Sequence, residues 1–206
     1  GTAYGVYMGM KAAAKDKFGP DDLGGKKIAV QGIGNVGETL VDYLVKEGAV
    51  VTVTDIWEDR VKEIVHKYGV QACSPDEIYD IDMDIYAPCA LGATVNDETL
   101  KRLKCAVLAG AANNQLANEE QHGIEVMKKG IVYAPDYLVN AGGIINCYWG
   151  VIGYNQEAAM SQATQIYDTT MNILKKSSSE QIPTYLAANQ MAEARIASIG
   201  RIKQKF

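Results

Sequence analysis

The chain has 206 residues, 48% of them hydrophobic and 22% charged, with a formal net charge of −5. At this size about 70% of the unfolded surface can be buried, so neither a disulfide nor a metal is required for stability. The acidic balance argues against nucleic acid, which is bound through basic patches, and no apolar run approaches the roughly 20 residues of a membrane span.

Four cysteines (Cys73, Cys89, Cys105 and Cys147) contain no Cys-x-x-Cys, so they suit neither a zinc site nor a disulfide framework. Free thiols in a reducing, cytoplasmic compartment are expected. The chain starts Gly1-Thr2-Ala3-Tyr4-Gly5, with no initiator Met and no basic segment ahead of an apolar one. It reads as part of something longer.

An alanine-rich helix is predicted from about Tyr4 to Lys17, closed by Gly19-Pro20, and Gly24-Gly25-Lys26-Lys27 as a turn leading into the first strand. Short runs rich in β-branched residues then alternate with helical patterns. The runs are Ile28–Val30, Val50–Thr54, a weak Val70–Ala72, Asp84–Ala87, Ala106–Ala109 and Ile131–Ala134. Between the first two, Val36, Leu40, Val41, Leu44 and Val45 recur at helical spacing; between the second and third, Val61, Ile64, Val65 and Tyr68 do so. Gly48 and Gly69 mark where these helices stop. Strands alternating with helices imply a parallel sheet covered on both faces, a doubly wound α/β fold.

After about Asn155 the pattern is wholly helical. One helix runs to about Lys176 and buries Ile166, Tyr167, Ile173 and Leu174, Ser177-Ser178-Ser179 breaks it, and a last helix starts near Pro183. The expected organisation is a dinucleotide-binding unit over residues 1–154, lead-in helix included, with C-terminal helices over 155–206 packing on it.

Gly32-Ile33-Gly34-Asn35-Val36-Gly37 is a complete Gly-x-Gly-x-x-Gly that directly follows the first strand and opens an amphipathic helix. Gly32 permits the tight turn, Gly34 leaves room for a pyrophosphate and Gly37 lets helix and strand approach. The helix start, Asn35 and Val36, offers backbone N–H groups and a partial positive charge of about half a unit to phosphates. Asp55 ends the second strand 23 residues after Gly32, where a carboxylate accepts from an adenosine ribose, with Ile56 beside it. That carboxylate repels a 2′-phosphate, no cation stands at Ile56 or Trp57, and Arg60 is a helical turn away, so NAD is expected over NADP. The plainer alternative is that Asp55 only caps the following helix.

Neither His66 nor His122 has a second His or a Cys at ligand spacing; both are expected at the surface, with no metal. Asn113-Asn114 alone reads as a turn.

Beyond the glycine motif, the chain resembles the glutamate/leucine/phenylalanine/valine dehydrogenase family. The strings that carry the likeness are Tyr4–Tyr7, Gly9–Ala14, Ala29–Val36, Asp84–Thr94, Ala112–Leu116 and Ala134–Gly143, collinear over nearly the whole chain. The resemblance implies reversible oxidative deamination of an L-amino acid to its 2-oxo acid and ammonia, in a protein expected to be a homo-oligomer.

It also implies residue roles. Thr2 would bond the nicotinamide carboxamide, Ala90 and Leu91 would line the cofactor's path, and Asn113 would contact the nicotinamide ribose or ring. Asn140 would touch substrate or nicotinamide, and Ile144 and Cys147 would line the substrate side-chain pocket. Those two residues suit a branched aliphatic side chain; Tyr148 and Trp149, in a stretch that departs from the family's small and acidic residues, favour an aromatic one if they face the pocket. The family's catalytic lysines belong to an N-terminal domain with no counterpart in these residues, so this polypeptide alone is expected to bind cofactor without turnover. The rivals are a nucleotide-binding module with no chemistry of its own and a different dinucleotide-dependent oxidoreductase.

Overall fold

The computed structural model describes residues 1–135 and 156–204. Helix α1 (Thr2–Phe18) leads into β1 (Lys27–Gln31), α2 (Asn35–Lys46), β2 (Val50–Thr54), α3 (Glu58–Tyr68) and β3 (Gln71–Ala72). A 3-10 turn (Glu77–Tyr79) precedes β4 (Ile85–Pro88), α4 (Asp97–Arg102), β5 (Val107–Leu108), α5 (Glu119–Lys128) and β6 (Val132–Tyr133). Two long helices follow, α6 (Gln156–Glu180) and α7 (Thr184–Gln204). All six predicted strands are present, as are the predicted glycine stops. Gly69, for instance, ends α3 in a left-handed conformation at φ 68°, which costs a glycine nothing.

The strands form one parallel sheet in the order β3-β2-β1-β4-β5-β6. This is the order of the dinucleotide-binding fold, whose ligand crevice opens where the winding reverses, between β1 and β4. The alternation along β1 divides the core. Ile28 and Val30 face a cluster with Leu40, Val41, Leu44 and Ile64 of α2 and α3 and with Val6, Met10 and Ala13 of α1. Ala29 faces the opposite cluster of Ile78, Tyr86, Leu100, Leu108 and Val126. The predicted turn before β1 is also present: Gly25 N–H donates to Gly48 O at 2.9 Å and Lys26 N–H to Leu23 O at 3.1 Å.

Three expectations need correction. Ser177-Ser178-Ser179 does not break a helix, because α6 runs through it to Glu180. A serine in a helix costs only a few tenths of a kcal/mol, and α6 is already anchored by buried Ile173 and Leu174. Buried Ser177 instead donates to Ile182 O at 2.5 Å, and the chain reverses at Gln181, φ 54°. Tyr167, expected in the core, is half-buried, with its hydroxyl donating to Asp21 at 3.2 Å.

His122 is the third: it is 3% exposed, not on the surface. Its Nδ1 accepts from Asn118 N–H at 2.9 Å while Asn118 Oδ1 accepts from Gln121 N–H at 3.0 Å, a reciprocal cap on α5. A neutral imidazole accepting at Nδ1 carries its proton on Nε2, which therefore donates to Asp97 Oδ1 at 2.8 Å. Asp97, His122 and Glu125 converge closely enough to suggest metal ligands, but the ring's one lone pair, on Nδ1, is taken by Asn118 N–H, and the nitrogen facing Asp97 carries the proton. His66 is exposed, as expected.

Candidate dinucleotide site

The carboxyl edge of the sheet gathers the predicted cofactor residues. Gly32 leaves β1 at φ 95°, and its N–H donates to Thr54 O at 2.9 Å. A Cβ on Gly32 would lie 2.3 Å from that of Ala90, at the end of β4, and one on Gly92 would lie 2.7 Å from Asn113 O, beyond β5. The loops after β1, β4 and β5 thus pack side by side, which brings Gly32, Ala90, Leu91 and Asn113 into one row. Ala93 N–H donates to Asn114 O at 2.7 Å and ties the last two loops together. Asn114 has φ 52°, so the Asn113-Asn114 pair is also a turn.

Gly34 and Gly37 do different work. Gly37 packs against the glycine turn itself, whereas the Cβ position of Gly34 meets no atom within 4 Å. Gly34 is the N-cap of α2, no side chain caps this helix, and its first internal bond is Glu38 N–H to Gly34 O at 2.9 Å. The amides of Asn35, Val36 and Gly37, at the start of α2, therefore have no acceptor within the helix. This is the arrangement that binds phosphate.

Asp55 is half-buried at the end of β2. Its Oδ2 accepts from Ile33 N–H at 2.9 Å and its Oδ1 from Trp57 N–H at 3.0 Å. The N-cap of α3 is Trp57, not Asp55, so the carboxylate braces the glycine turn and does not cap the helix. A carboxylate has about four acceptor positions, so two remain for ribose hydroxyls. Ile56 and Leu91, both exposed apolar side chains, follow β2 and β4 on the two sides of β1.

Thr2 opens α1, whose first turns run along α2: the Tyr4 and Tyr7 rings stand 5.6 and 5.3 Å from that of Tyr43, and Tyr7 donates to Glu47 at 2.8 Å. The last turn of α1 lies at the amino edge, where Lys17 donates to Gly130 O at 2.6 Å ahead of β6 and Lys26, ahead of β1, stands 4.2 Å over the Phe18 ring. Asn140, Ile144 and Cys147 lie outside the described residues, as do Tyr148 and Trp149.

Two further observations concern fit to a dinucleotide. Gln31 Oε1 and Thr54 Oγ1, at the carboxyl ends of β1 and β2, are buried without a hydrogen-bond partner, as is Gln115 Oε1 in the loop between β5 and α5. Each such group costs about 1–3 kcal/mol, an expense that polar ligand groups at this edge can relieve. Burial also pushes the Cys89 thiol, next after β4, up to about 11, so it stays a neutral thiol at this edge.

Sequence reasoning missed the brace on the other side of the turn. Arg60 Nε donates to Ile33 O at 2.7 Å and its Nη2 to Glu38 Oε1 at 2.7 Å. Glu38 Oε2 accepts from Lys67 Nζ at 2.7 Å and from the Tyr68 hydroxyl at 2.6 Å. Held by Lys67, Tyr68 and Arg60, the Glu38 carboxyl is depressed to about 2. The available signal was Arg60, Lys67 and Tyr68 at i, i+7 and i+8, one face of α3, opposite a lone glutamate that follows Gly37.

Comparison with known proteins agrees with this geometry. The family model for Glutamate/Leucine/Phenylalanine/Valine dehydrogenase matches residues 1–57 and 56–205. Leucine dehydrogenase of Thermoactinomyces intermedius is 52% identical over 205 residues, and that of Bacillus cereus 54%. In each case the alignment takes in 100% of this chain and 56% of the relative, so the chain spans about half the length of the curated relatives it matches. The crystal structure of L-tryptophan dehydrogenase from Nostoc punctiforme superposes with a TM-score of 0.92 at 42% identity, covering 97% of this chain and 61% of that one. The chain belongs to the Glu/Leu/Phe/Val dehydrogenase family, and a dehydrogenase family on this sheet implies a nicotinamide cofactor.

Proposed function

We propose that this member of the Glu/Leu/Phe/Val dehydrogenase family is the NAD-binding part of an L-amino acid dehydrogenase that oxidatively deaminates branched aliphatic amino acids. The observation that carries the reading is identity of 49–54% along the whole chain to leucine dehydrogenases, against 43% to an L-tryptophan dehydrogenase. The dinucleotide-binding unit is residues 1–154, and the helices of 155–206 pack on it. The whole protein is a cytoplasmic homo-oligomer.

When bound, NAD supplies a hydride acceptor; this chain's residues hold and orient it. The amides at Gly34 and the start of α2 take the pyrophosphate. Asp55 accepts from the adenosine ribose and disfavours a 2′-phosphate. Ile56 and Leu91 offer apolar surface to the adenine. Ala90, Asn113 and Thr2 continue the row toward the nicotinamide. Asn140, Ile144 and Cys147 complete the substrate side, and the groups that move protons are expected on the remainder of the protein.

The test is a comparison of kcat/KM for leucine, valine, phenylalanine, tryptophan and glutamate in the full-length protein with NAD. A methylene in an apolar pocket is worth about 1–3 kcal/mol, so leucine and valine should differ modestly. Glutamate should be rejected far more strongly, because an unpaired charge would be buried. A clear preference for an aromatic amino acid or for glutamate overturns the branched-chain assignment.

A further inference from the structure

Ile33, the middle residue of Gly32-Ile33-Gly34, has both its backbone polar groups taken by side chains from beyond β2. Asp55 accepts its N–H at 2.9 Å, and Arg60 donates to its carbonyl at 2.7 Å. Asp55 and Arg60 are thus anchored on the same residue, which brings a guanidinium to the turn braced by the carboxylate assigned to the adenosine ribose. An arginine there is what accommodates a 2′-phosphate in NADP-binding relatives of this fold, and its planar fork matches a phosphate well.

Here each of the fork's three nitrogens already has an acceptor. Besides the Ile33 carbonyl, Arg60 serves Glu38 at 2.7 Å and Glu63 at 3.2 Å, and its side chain is only 24% exposed. Glu38 also holds Lys67, the neighbouring cation. We propose that Glu38 is a specificity-determining residue: by holding Arg60 on the Ile33 carbonyl, it withholds that guanidinium from the ribose and keeps the site selective for NAD. Discrimination against NADP thus has two parts. Asp55 repels the 2′-phosphate, and Glu38 removes the cation that would bind it.

This inference rests on the cofactor reading above, and the experiment separates the two. NAD and NADP are titrated calorimetrically into the chain as wild type, Glu38→Gln, Glu38→Asp and the double variant Glu38→Gln/Arg60→Gln, with far-UV circular dichroism to establish folding. Glu38→Gln frees the guanidinium, and NADP affinity should rise about tenfold, the lower end for a charge-assisted bond, while NAD affinity changes much less. In the double variant the gain should vanish, since the group recruited is Arg60. Glu38→Asp keeps a carboxylate for Lys67 and Tyr68 but shortens its reach to Arg60, and should show a smaller gain should Glu38→Gln fail to fold.

An unchanged NADP-to-NAD ratio in folded Glu38 variants overturns the inference and leaves the cofactor reading standing. So does a gain that persists without Arg60, since it would come from removing negative charge alone. Failure of folded wild type to bind NAD overturns the cofactor reading itself.

Discussion

Gly37 approaches Gly32 so closely that a Cβ on it would lie 2.0 Å from the Gly32 carbonyl oxygen. The obstacle is backbone, which cannot rotate away. Gly37→Ala must push α2 off the β1 turn, and overpacking of this kind costs about 1–3 kcal/mol. In a chain of this size the melting temperature should fall by roughly 2–4 °C per kcal/mol. Gly34→Ala places its methyl in open space at an extended backbone position (φ −69°, ψ −161°). It should melt like wild type yet lose NAD affinity, because the methyl occupies the phosphate's place. Thermal melts and NAD titration of both variants check the contrast.

Asp55→Ala should weaken NAD by about 10- to 150-fold, the worth of a hydrogen bond to a charged acceptor, and weaken NADP less. The variant also strips the acceptor from Ile33 N–H and Trp57 N–H, so some loss common to both cofactors is expected. The check is the ratio of the two dissociation constants. A ratio equal to that of wild type would mean that Asp55 acts only as a brace.

Most of the architecture was legible in the sequence because its signals are local. A β-branched run, a glycine after each of the first three helices and a glycine motif at a strand-to-helix junction each constrain the backbone over a few residues. Gly32 follows from the glycine motif, whereas Ala90, Leu91 and Asn113 were assigned to the cofactor only through resemblance to the family; the sheet order explains why the loops that carry them adjoin. His122 was misplaced because its partner Asp97 is 25 residues away on another helix, so its burial depends on a contact that local pattern does not encode. The three serines misled because propensity is weak beside the anchoring of Ile173 and Leu174. The Glu38–Arg60–Ile33 brace escaped notice because one of its acceptors is a backbone carbonyl, which has no sequence signature.

The depressed carboxyl of Glu38 fixes a pH window. Its folded-state value, about 2, lies below the ordinary 4.5, so the stability it contributes is present above about 4.5 and is lost as pH falls toward 2. Denaturant unfolding of wild type and Glu38→Gln should therefore differ at pH 7 and converge between pH 4.5 and 2. A difference independent of pH over that range would assign the effect to packing instead of charge.

His122→Ala removes the acceptor of Asn118 N–H and the donor to Asp97 in one step. Asn118 is exposed, so water replaces part of the lost bond and the cost should lie near the lower end of about 1–3 kcal/mol, while the first turn of α5 should exchange its amide hydrogens faster. Because Nε2 carries the proton, Zn²⁺ added to wild type should neither bind at Asp97, His122 and Glu125 nor raise the melting temperature. Saturable zinc binding that is lost in His122→Ala would contradict the assigned tautomer.

The most direct measurement of the whole account is calorimetric titration of the 206-residue chain with NAD and with NADP, with Gly34→Val as control. The account predicts saturable binding of one NAD per chain, NADP weaker by about tenfold or more, and no NAD binding by folded Gly34→Val. A folded wild-type chain that ignores NAD, that binds NADP equally well, or whose NAD binding survives Gly34→Val would contradict it.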